Sequence, residues 1–466
     1  MNDFKLFELI KGLSEKQKTL VQHDLNLPNA DQKIHLHLYN ALNRQSAANS
    51  TKIIREQIFK EVFPEQKYND QKLRLVSSQC LKKVEHCLAL KSLEEDENLI
   101  KLSLLKVYKE LNSKGLYEKQ LNKTFKHFSK AKIRNSEFHD QKIRLEDELS
   151  DHLLTQKRNQ DLNIQVVLDQ VDLAYILKKL KFACSALAHK AVYSIEYSMG
   201  LLDNLLSKDI IDKYKETPAI NLYYSCYEML CNPEDSEKFD TYLRALRKHN
   251  TCFPVEEIRS IYLFGLNVCI RRLNSGEKKY GKIGLEIYEE ALKNKYLLIN
   301  GKLSKYSYRN INMMAIRSDE FHWAKNFTEE YKDQLKRQEI KPAYHFNKAL
   351  IHYYQNELEL ARDNIVEADF SDPLIHLAVK TLQAKIYHEL DEDSLLWSHL
   401  DSMEMYVIRK KVIGYHRSNY KNFISFLRKM SKSNPYNHEQ REKLVEKIRK
   451  EKTLTERTWF LEQLQR

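Results

Sequence analysis

Glycine and proline are scarce in this chain, which has only 9 glycines and 8 prolines among its 466 residues. Average proteins contain about 7% glycine and about 5% proline. A fold made of many β-hairpins needs both residues in its turns. The scarcity therefore excludes a strand-rich fold and predicts an all-α chain.

Long apolar runs and a secretory leader are also missing. No run of about 18 apolar residues occurs, which is the length that a membrane-spanning helix needs. The opening residues, MNDFKLFELIKGLSEKQ, carry acidic side chains and no uninterrupted apolar core, unlike a secretory signal. We therefore expect no membrane association and a cytoplasmic location.

Paired cysteine motifs are absent. The seven cysteines form no CxxC pair, and they lie at positions 80, 87, 184, 226, 231, 252 and 269. An odd number of cysteines in apolar helical contexts is typical of free thiols in a reducing compartment. This pattern agrees with a cytoplasmic location and argues against a disulfide framework.

Motifs that carry catalysis or bind metals are missing as well. The sequence contains no GxSxG, HExxH or GxxxxGK[ST]. Cys184 and His189 are five residues apart, which is about 140° around a helix, so a single helix does not bring them together. Among the 17 histidines, His35 and His37 are two apart and point in different directions on a helix. We expect a protein that is not an enzyme and that needs no metal or cofactor.

Residues 343–406 contain a repeated pattern of small residues. Ala349, Ala361, Ala368 and Pro373 stand 12, 7 and 5 residues apart, as in a tetratricopeptide unit, whose period is about 34 residues. Such a unit is a pair of antiparallel helices. We expect these helices to cross closely at Ala349 and Ala361, where a larger side chain would push them apart.

Neighbouring units share this register. Ala384 follows Ala349 by 35 residues, and one unit earlier Ala324 lies near the start of a predicted helix, as Ala361 does. Units of this kind stack into an extended array. The pattern predicts a right-handed superhelical solenoid of antiparallel helix pairs, similar to tetratricopeptide repeats, with a small N-terminal helical domain.

The chain divides into four regions by pattern. Residues 1–95 are predicted to form the small helical domain, and residues 96–215 irregular helical hairpins with a long bracing helix at 162–190. Residues 216–410 hold the repeats, and residues 411–466 form basic capping helices.

Apolar spacing also places individual helices within these regions. Thr51 and Asn69 are suitable caps for the fourth and fifth helices. The predicted helices outside the repeats are 3–11, 14–23, 31–44, 51–62, 69–90, 96–112, 115–132, 135–157, 162–190, 192–207, 412–431, 437–450 and 453–465.

Six stretches carry a family resemblance. They are EQIFKEVFPEQKYNDQKLR at 56–74, YLFGLNVCIRRLNSG at 262–276, LINGKLSKYSYRNI at 298–311, FHWAKNFTEEY at 321–331, YHRSNYKNFISFLRKM at 415–430 and TERTWFLEQL at 455–464. Together they resemble an uncharacterised family of tetratricopeptide-like helical repeat proteins from Bacteroidota. The resemblance covers nearly the whole chain and implies a cytosolic helical repeat protein, but it implies no activity.

Tyrosine is abundant, with 27 residues in the chain. Tyrosine and arginine concentrate binding energy in protein interfaces. Several tyrosines lie near the first helix of a predicted unit, whose outward edge would line the concave groove of the array. The predicted groove residues are Tyr306, Tyr308, Tyr353, Tyr354 and Tyr387.

Positive charge is concentrated at the C-terminal end. Residues 405–466 contain 16 Lys and Arg against 6 Asp and Glu, and the whole chain has a formal net charge of +12. On the predicted helix 412–431, Arg417, Lys421 and Arg428 share a face, while the basic cluster at 409–411 precedes the helix. A basic face of this kind can bind an acidic partner or phosphates.

Two functions of different classes fit these features. The first is a protein-interaction scaffold or adaptor that binds a peptide or a partner helix in the concave groove, and it needs nothing beyond the fold. The second is a nucleic-acid-associated regulator that uses the basic C-terminal helices or the N-terminal unit. In that unit a short helix, a turn and a longer helix follow one another, as they do in helix-turn-helix domains. Lys72 and Arg74 lie on the second of these helices. The first function is favoured.

Overall fold

The structure is a computed structural model, and it describes residues 5–26, 30–47, 54–156, 162–193, 195–409, 416–433, 437–451 and 453–465. Within these residues the chain is helical apart from its loops and one two-stranded hairpin. It divides into two compact units, Met1–Ala174 and Tyr175–Arg466. The prediction of an all-α chain is confirmed.

Eight helices and the start of a ninth form the described part of the first unit. Their bounds are α1 (Lys5–Gly12), α2 (Glu15–Leu25), α3 (Ala30–Ala47), α4 (Arg55–Val62), α5 (Asp70–Glu95), α6 (Glu97–Glu110), α7 (Lys114–Ser129), α8 (Ser136–Gln156) and α9 (Ile164–Tyr193), of which only the first part belongs to this unit.

Side-chain caps fix the starts of several of these helices. Ser14 and Gln17 form a capping box at α2, in which Ser14 Oγ accepts from the Gln17 N–H at 3.3 Å and Gln17 Oε1 accepts from the Ser14 N–H at 2.9 Å. The predicted cap Asn69 accepts from the Lys72 N–H at 2.9 Å at the start of α5. The other predicted cap, Thr51, lies outside the described residues.

Two hydrophobic clusters fill the first unit. One is built from α1 to α5 and includes the fully buried Tyr39 and Phe59. The other is built from α6 to α8 and includes Leu105 and Phe128. The predicted domain boundary at residue 95 falls between these two clusters.

The second unit contains the rest of α9, further helices and one hairpin. Their bounds are α10 (Leu202–Leu205), α11 (Lys208–Tyr214), α12 (Pro218–Cys231), α13 (Ser236–His249), α14 (Val255–Asn274), α15 (Lys279–Lys293), β1 (Leu298–Ile299), β2 (Lys302–Leu303), α16 (Lys305–Arg317), α17 (Phe321–Tyr331), α18 (Arg337–Tyr354), α19 (Leu358–Ile365), α20 (Pro373–Glu389), α21 (Asp393–Arg409), α22 (His416–Lys432), α23 (His438–Lys450) and α24 (Arg457–Gln465). No helix of the described ranges is long and apolar enough to cross a membrane.

Consecutive helices of the second unit pack as pairs. The pairs are α12 with α13, α14 with α15, α16 with α17, α18 with α19, and α20 with α21. First helices of successive pairs also touch, because α12 contacts α14, α16 contacts α18, and α18 contacts α20. Each pair is therefore in contact with the next along part of this unit.

The turns inside three consecutive pairs have the same backbone form. Asp319, Asn356 and Asp391 have positive φ angles of 62°, 61° and 56°, which Asn and Asp tolerate better than most residues. The next residue is a glutamate that donates its N–H to the carbonyl five residues earlier, as Glu357 does to His352 at 2.9 Å. This contact satisfies a carbonyl at the end of the first helix. The three pairs therefore share a common register.

The small residues predicted at helix crossings are buried. Ala324, Ala349, Ala361 and Ala384 are fully buried, and α18 packs against α19 as expected from Ala349 and Ala361. Close crossings leave room for a methyl group and little more.

Ala368 and Pro373, at the end of the predicted repeat, lie on either side of a helix boundary. Ala368 is buried, but it lies beyond the last residue of α19, and its N–H donates to the Ile365 carbonyl at 3.1 Å. Pro373 occupies the first turn of α20, where its missing N–H leaves no helical hydrogen bond unmade. Asp372 caps that helix by accepting from the Leu374 and Ile375 N–H groups.

The predicted helix at 192–207 is wrong. Residues 195–199 are not helical, and regular helix resumes only in the four-residue α10. Gly200 has a φ of 59°, and a left-handed residue at this point interrupts helical geometry.

Sequence reasoning also missed the hairpin of β1 and β2. Asn300 and Gly301 have φ angles of 52° and 73°, which a two-residue turn of type I′ requires, and Asn-Gly is the sequence signal for that turn. Arg259 on α14 holds the approach to the hairpin, since its guanidinium donates to the Tyr296 carbonyl at 2.7 Å and to the Leu298 carbonyl at 2.9 Å.

The C-terminal helices share a core with the last predicted repeat. One cluster joins residues of α20 and α21 to α22, α23 and α24, and it includes Leu400, Phe423 and Phe460, all fully buried. The described helices after residue 410 therefore pack as part of the same core as α20 and α21. Residues 410–415, which include the basic Lys410 and Lys411, lie outside the described residues.

Candidate partner-binding site

Two of the five predicted groove tyrosines are core residues. Tyr308 is fully buried, and its hydroxyl donates to the Thr328 carbonyl at 2.5 Å. Tyr353 is also buried, and its hydroxyl donates to the Glu389 carboxylate. Burial together with a hydrogen-bonded hydroxyl is the usual state of a core tyrosine. The prediction that Tyr308 and Tyr353 present their side chains to a partner is therefore wrong.

The other three predicted tyrosines are accessible. Tyr306 is 49% exposed, and its hydroxyl donates to Asp372 Oδ2 at 2.7 Å. This hydrogen bond, together with burial, raises the pKa of Tyr306 to about 12. Tyr387 is half-buried and accepts from Gln383 Nε2 at 2.8 Å. Tyr354 is 39% exposed, and its ring meets that of the buried Tyr353 edge-on, with centroids 5.3 Å apart.

A cluster of charged and aromatic side chains surrounds Tyr354. Its members come from the first helices of successive pairs, from α22, and from the chain at α24. We call this set the Arg309 cluster, and it consists of Arg309, Arg317, Tyr353, Tyr354, Lys385, Glu389, Tyr420, Glu456 and Trp459.

Lys385 is a buried cation within this cluster. It is only 4% exposed, and its Nζ lies 2.8 Å from Glu456 Oε2. The same Nζ lies 4.8 Å, 5.9 Å and 5.4 Å from the ring centroids of Tyr353, Tyr354 and Trp459. A carboxylate and three aromatic faces together offset the cost of removing the ammonium from water.

Glu456 provides the carboxylate from a strained backbone position. It directly precedes α24 and has a φ of 57°. Burial alone raises the pKa of Glu456, but Lys385, which attracts it and hydrogen bonds to it, outweighs that effect, and Arg317 and Arg309 act in the same direction. Its pKa is therefore below the usual value, and Glu456 is ionised at neutral pH.

Arg309 is the least compensated charge of the cluster. Its Nε is buried and has no hydrogen-bond partner among the described residues. The guanidinium lies 5.6 Å from the ring centroid of Phe346, and burial lowers the pKa of Arg309. Arg317, by contrast, is exposed and donates to Asn274 Oδ1.

The Arg309 cluster has an excess of positive charge. It contains three cations, Arg309, Arg317 and Lys385, and two carboxylates, Glu389 and Glu456. Glu389 accepts hydrogen bonds from Tyr353 and Trp459. The cluster therefore combines an incompletely bonded guanidinium with a partly exposed aromatic ring.

The sequence contains one signal for this cluster. Leu377, Thr381 and Lys385 follow each other at intervals of four on α20, and all three are buried. A lysine on a buried helical stripe needs a partner elsewhere in the chain. Arg309 and Glu456 carry no such signal, because their neighbours come from distant parts of the sequence.

The predicted basic face is less available than its sequence suggests. Arg428 is engaged by Glu404 at 2.6 Å and Asp401 at 2.5 Å. Arg417 is half-buried, and of the three predicted residues Lys421 alone is exposed. The structure therefore does not display these residues as three equally accessible cations.

The two basic residues of the N-terminal unit also have local partners. Arg74 Nε lies 2.8 Å from Asp70 Oδ2, one turn away on α5. Lys72 donates to Gln66 Oε1 at 2.7 Å and lies 4.4 Å from the ring centroid of Phe63.

No group of three or more potential metal ligands occurs within the described ranges. Two histidines of the predicted repeat region make hydrogen bonds to neighbouring side chains. His345 on α18 bonds through Nδ1 to Asn364 Oδ1 on α19 at 3.1 Å, and His352 bonds to Glu357 at 2.6 Å.

Two cavities of the second unit have linings that include no member of the Arg309 cluster. One of about 490 Å³ is bordered by α9 and the segment 195–202, including the exposed Phe182 and Tyr197. Another of about 260 Å³ is lined by Lys325, Lys348 and His352, among others.

The chain matches no protein-family model, no curated protein and no solved structure.

Proposed function

We propose that this protein is an interaction scaffold whose second unit is a tetratricopeptide-like array, and that the face formed by its first helices binds a segment of a partner protein. The repeated turns at Asp319, Asn356 and Asp391 support a repeating array. The contacts of α18 with α16 and α20 support stacking of successive pairs. The array would be right-handed and would belong with the Bacteroidota proteins that the sequence resembles.

The Arg309 cluster is the observation that carries this proposal. It gathers side chains from α16, α18, α20 and α22, so charged and aromatic groups of several pairs lie close together, with Tyr354 partly exposed among them. Partly exposed tyrosine and arginine are the groups that contribute most to protein interfaces. A segment lying across these helices would contact the accessible members of the cluster, Tyr354 and Arg317, directly above the buried ones.

The alternative, a nucleic-acid-associated regulator, has less support. Neutralising a phosphate backbone needs several cations that are free to contact it. Arg428 and Arg74 are held in ion pairs with acids of the same chain, which compete with phosphate for them.

Site-specific crosslinking tests the proposed binding face. The photoreactive residue p-benzoylphenylalanine is placed at position 354, or at position 360 as a control, because Leu360 is 48% exposed on the second helix α19. We expect position 354 to crosslink a defined partner in host cells and position 360 not to. The purified partner should then bind the Tyr354→Ala variant at least about tenfold more weakly than the Leu360→Ala variant. Equal crosslinking at the two positions, with equal affinities, would remove the basis of the proposal.

A further inference from the structure

We infer that Arg309 is the anchoring point for a carboxylate of the bound segment, either an Asp or Glu side chain or the C-terminal carboxylate of the partner. This inference rests on the proposed function and names the chemistry that the face recognises. The Nε of Arg309 is a buried donor that no described residue uses.

The cations of the cluster differ in how many of their N–H groups have hydrogen-bond or ion-pair partners. Lys385 has the Glu456 carboxylate at 2.8 Å, and Arg317 donates to Asn274. Arg309 has a buried Nε without a hydrogen-bond partner among the described residues. A buried donor that makes no hydrogen bond destabilises a protein, and a ligand that accepts from it removes that cost.

The shape of the vacant donor favours a planar acid. A guanidinium presents its N–H groups in a flat fork, which matches the two oxygens of a carboxylate. The Phe346 ring, centred 5.6 Å from the Arg309 guanidinium, helps to hold the fork in place. A carboxylate arriving at Nε would form a charge-assisted hydrogen bond in a poorly hydrated place, where such bonds are strongest.

The net charge of the cluster favours a ligand group with one negative charge over a group with two. Three cations face two carboxylates, so a single carboxylate brings the cluster to neutrality. A phosphate group carries about −1.5 to −2 at neutral pH and would leave a negative excess beside Glu456. Like charges at such short range repel each other, so the site selects against phosphate.

The surroundings of Arg309 also specify what lies next to the acid. Tyr354 and Tyr420 lie within electrostatic range of Arg309, and Tyr354 is 39% exposed. An exposed aromatic face packs well against an apolar side chain. The recognised feature is therefore an acidic group adjacent to an apolar or aromatic residue.

Selection from random peptides tests this inference on the full chain. Two libraries are displayed, one with free C-termini and one with the random segment internal, so that terminal and side-chain carboxylates are distinguished. The wild-type chain is compared with Arg309→Gln and with Arg244→Gln. Arg244 is exposed on α13, where it donates to Thr241 at 3.0 Å, and it serves as the matched control.

We expect the wild-type chain and the Arg244→Gln variant to enrich an acidic group next to an apolar residue. The Arg309→Gln variant should lose the acidic preference, and its affinity for a synthetic selected peptide should fall at least about tenfold. When the acid of that peptide is changed to its amide, the affinity of the wild-type chain should fall by a similar factor. The affinity of the Arg309→Gln variant should not change, because it already lacks the group that binds the acid. Phosphoserine in place of the acid should bind more weakly.

The possible failures are distinguishable. If the wild-type chain enriches peptides without an acidic group, or if Arg309→Gln keeps the acidic preference, the anchoring role is wrong while the binding face stands. Tighter binding of the phosphoserine peptide would overturn the choice of a carboxylate. If the wild-type chain enriches no peptide at all, the proposed function falls, and this inference falls with it. The peptide-amide comparison uses the wild-type chain, so it holds even if a variant folds poorly.

Discussion

Two buried cations of the Arg309 cluster differ in the partners that replace their hydration. Lys385 and Arg309 are both charged groups in poorly hydrated places. Lys385 has the Glu456 carboxylate within ion-pairing distance, whereas Arg309 Nε has no hydrogen-bond partner among the residues that the structure describes. A buried charge stabilises a fold only when its partners replace its lost hydration. The unbonded Nε of Arg309 fits the binding role proposed for it, whereas Lys385 links α20 to the residue that precedes α24.

Replacing Arg309 by an apolar residue should stabilise the unbound protein. We expect Arg309→Met to raise the free energy of unfolding by about 1 kcal/mol, because it removes a buried donor that has no partner in the described part of the chain and keeps most of the side-chain volume. Urea unfolding monitored by circular dichroism measures the change, with Arg244→Met as the exposed control. A loss of more than about 1 kcal/mol in Arg309→Met would show that Arg309 is a structural residue after all.

Glu456 gives a pH-dependent prediction. Its folded-state pKa is lowered, so its contribution to stability is present above the ordinary pKa of a glutamate, about 4.3, and is lost as pH falls through the folded value. We expect Glu456→Gln to destabilise the protein by about 1–3 kcal/mol at pH 7, since the carboxylate is partly exposed and solvent screens it.

The difference between wild type and Glu456→Gln should shrink as the pH is lowered from 5 towards 3. Urea titrations at several pH values measure it. Glu446→Gln is the control, because Glu446 and Lys450 form an exposed pair. A difference that stays constant across this range would mean that Glu456 contributes through packing rather than through its charge.

At the level of helices and turns, the sequence predicted the positions of most elements, whereas it predicted few residues of the site. Most helices lie where apolar spacing placed them, because a period of 3.6 and a cap such as Asn69 are local signals. The Asn300–Gly301 hairpin was missed although its signal is local as well. The helix predicted across Gly200 failed because a single left-handed residue outweighs a helical pattern of apolar residues.

The crossing of α18 and α19 gives a prediction at this scale. Ala361→Leu should destabilise the protein by about 1–3 kcal/mol, because Ala361 is fully buried and added side-chain atoms force the two helices apart. Leu360→Ala, at an exposed neighbouring position, is the control. Thermal melts of the purified variants provide the measurement, and an unchanged midpoint for Ala361→Leu would show that the crossing has room to spare.

At the scale of the whole molecule, the site could not be predicted from sequence because it is assembled from distant positions. Arg309, Tyr354, Lys385 and Glu456 span about 150 residues of the chain. Arg309 and Glu456 each have the appearance of an ordinary polar residue of a helical surface, and the buried stripe of α20 shows that Lys385 needs a partner but not which one. Contacts between successive helix pairs bring them together, and the local apolar pattern of one helix does not specify those contacts.

Hydrogen–deuterium exchange of the full chain, with and without a peptide selected by the wild-type protein, tests the central claim most directly. Binding stabilises the elements that it contacts against local opening. The proposed face predicts slower exchange in α16, α18 and α20 when the peptide is bound, and no such change with the peptide's amide variant. Protection confined to the first unit, or to the segment 195–202 beside α9, would contradict the account.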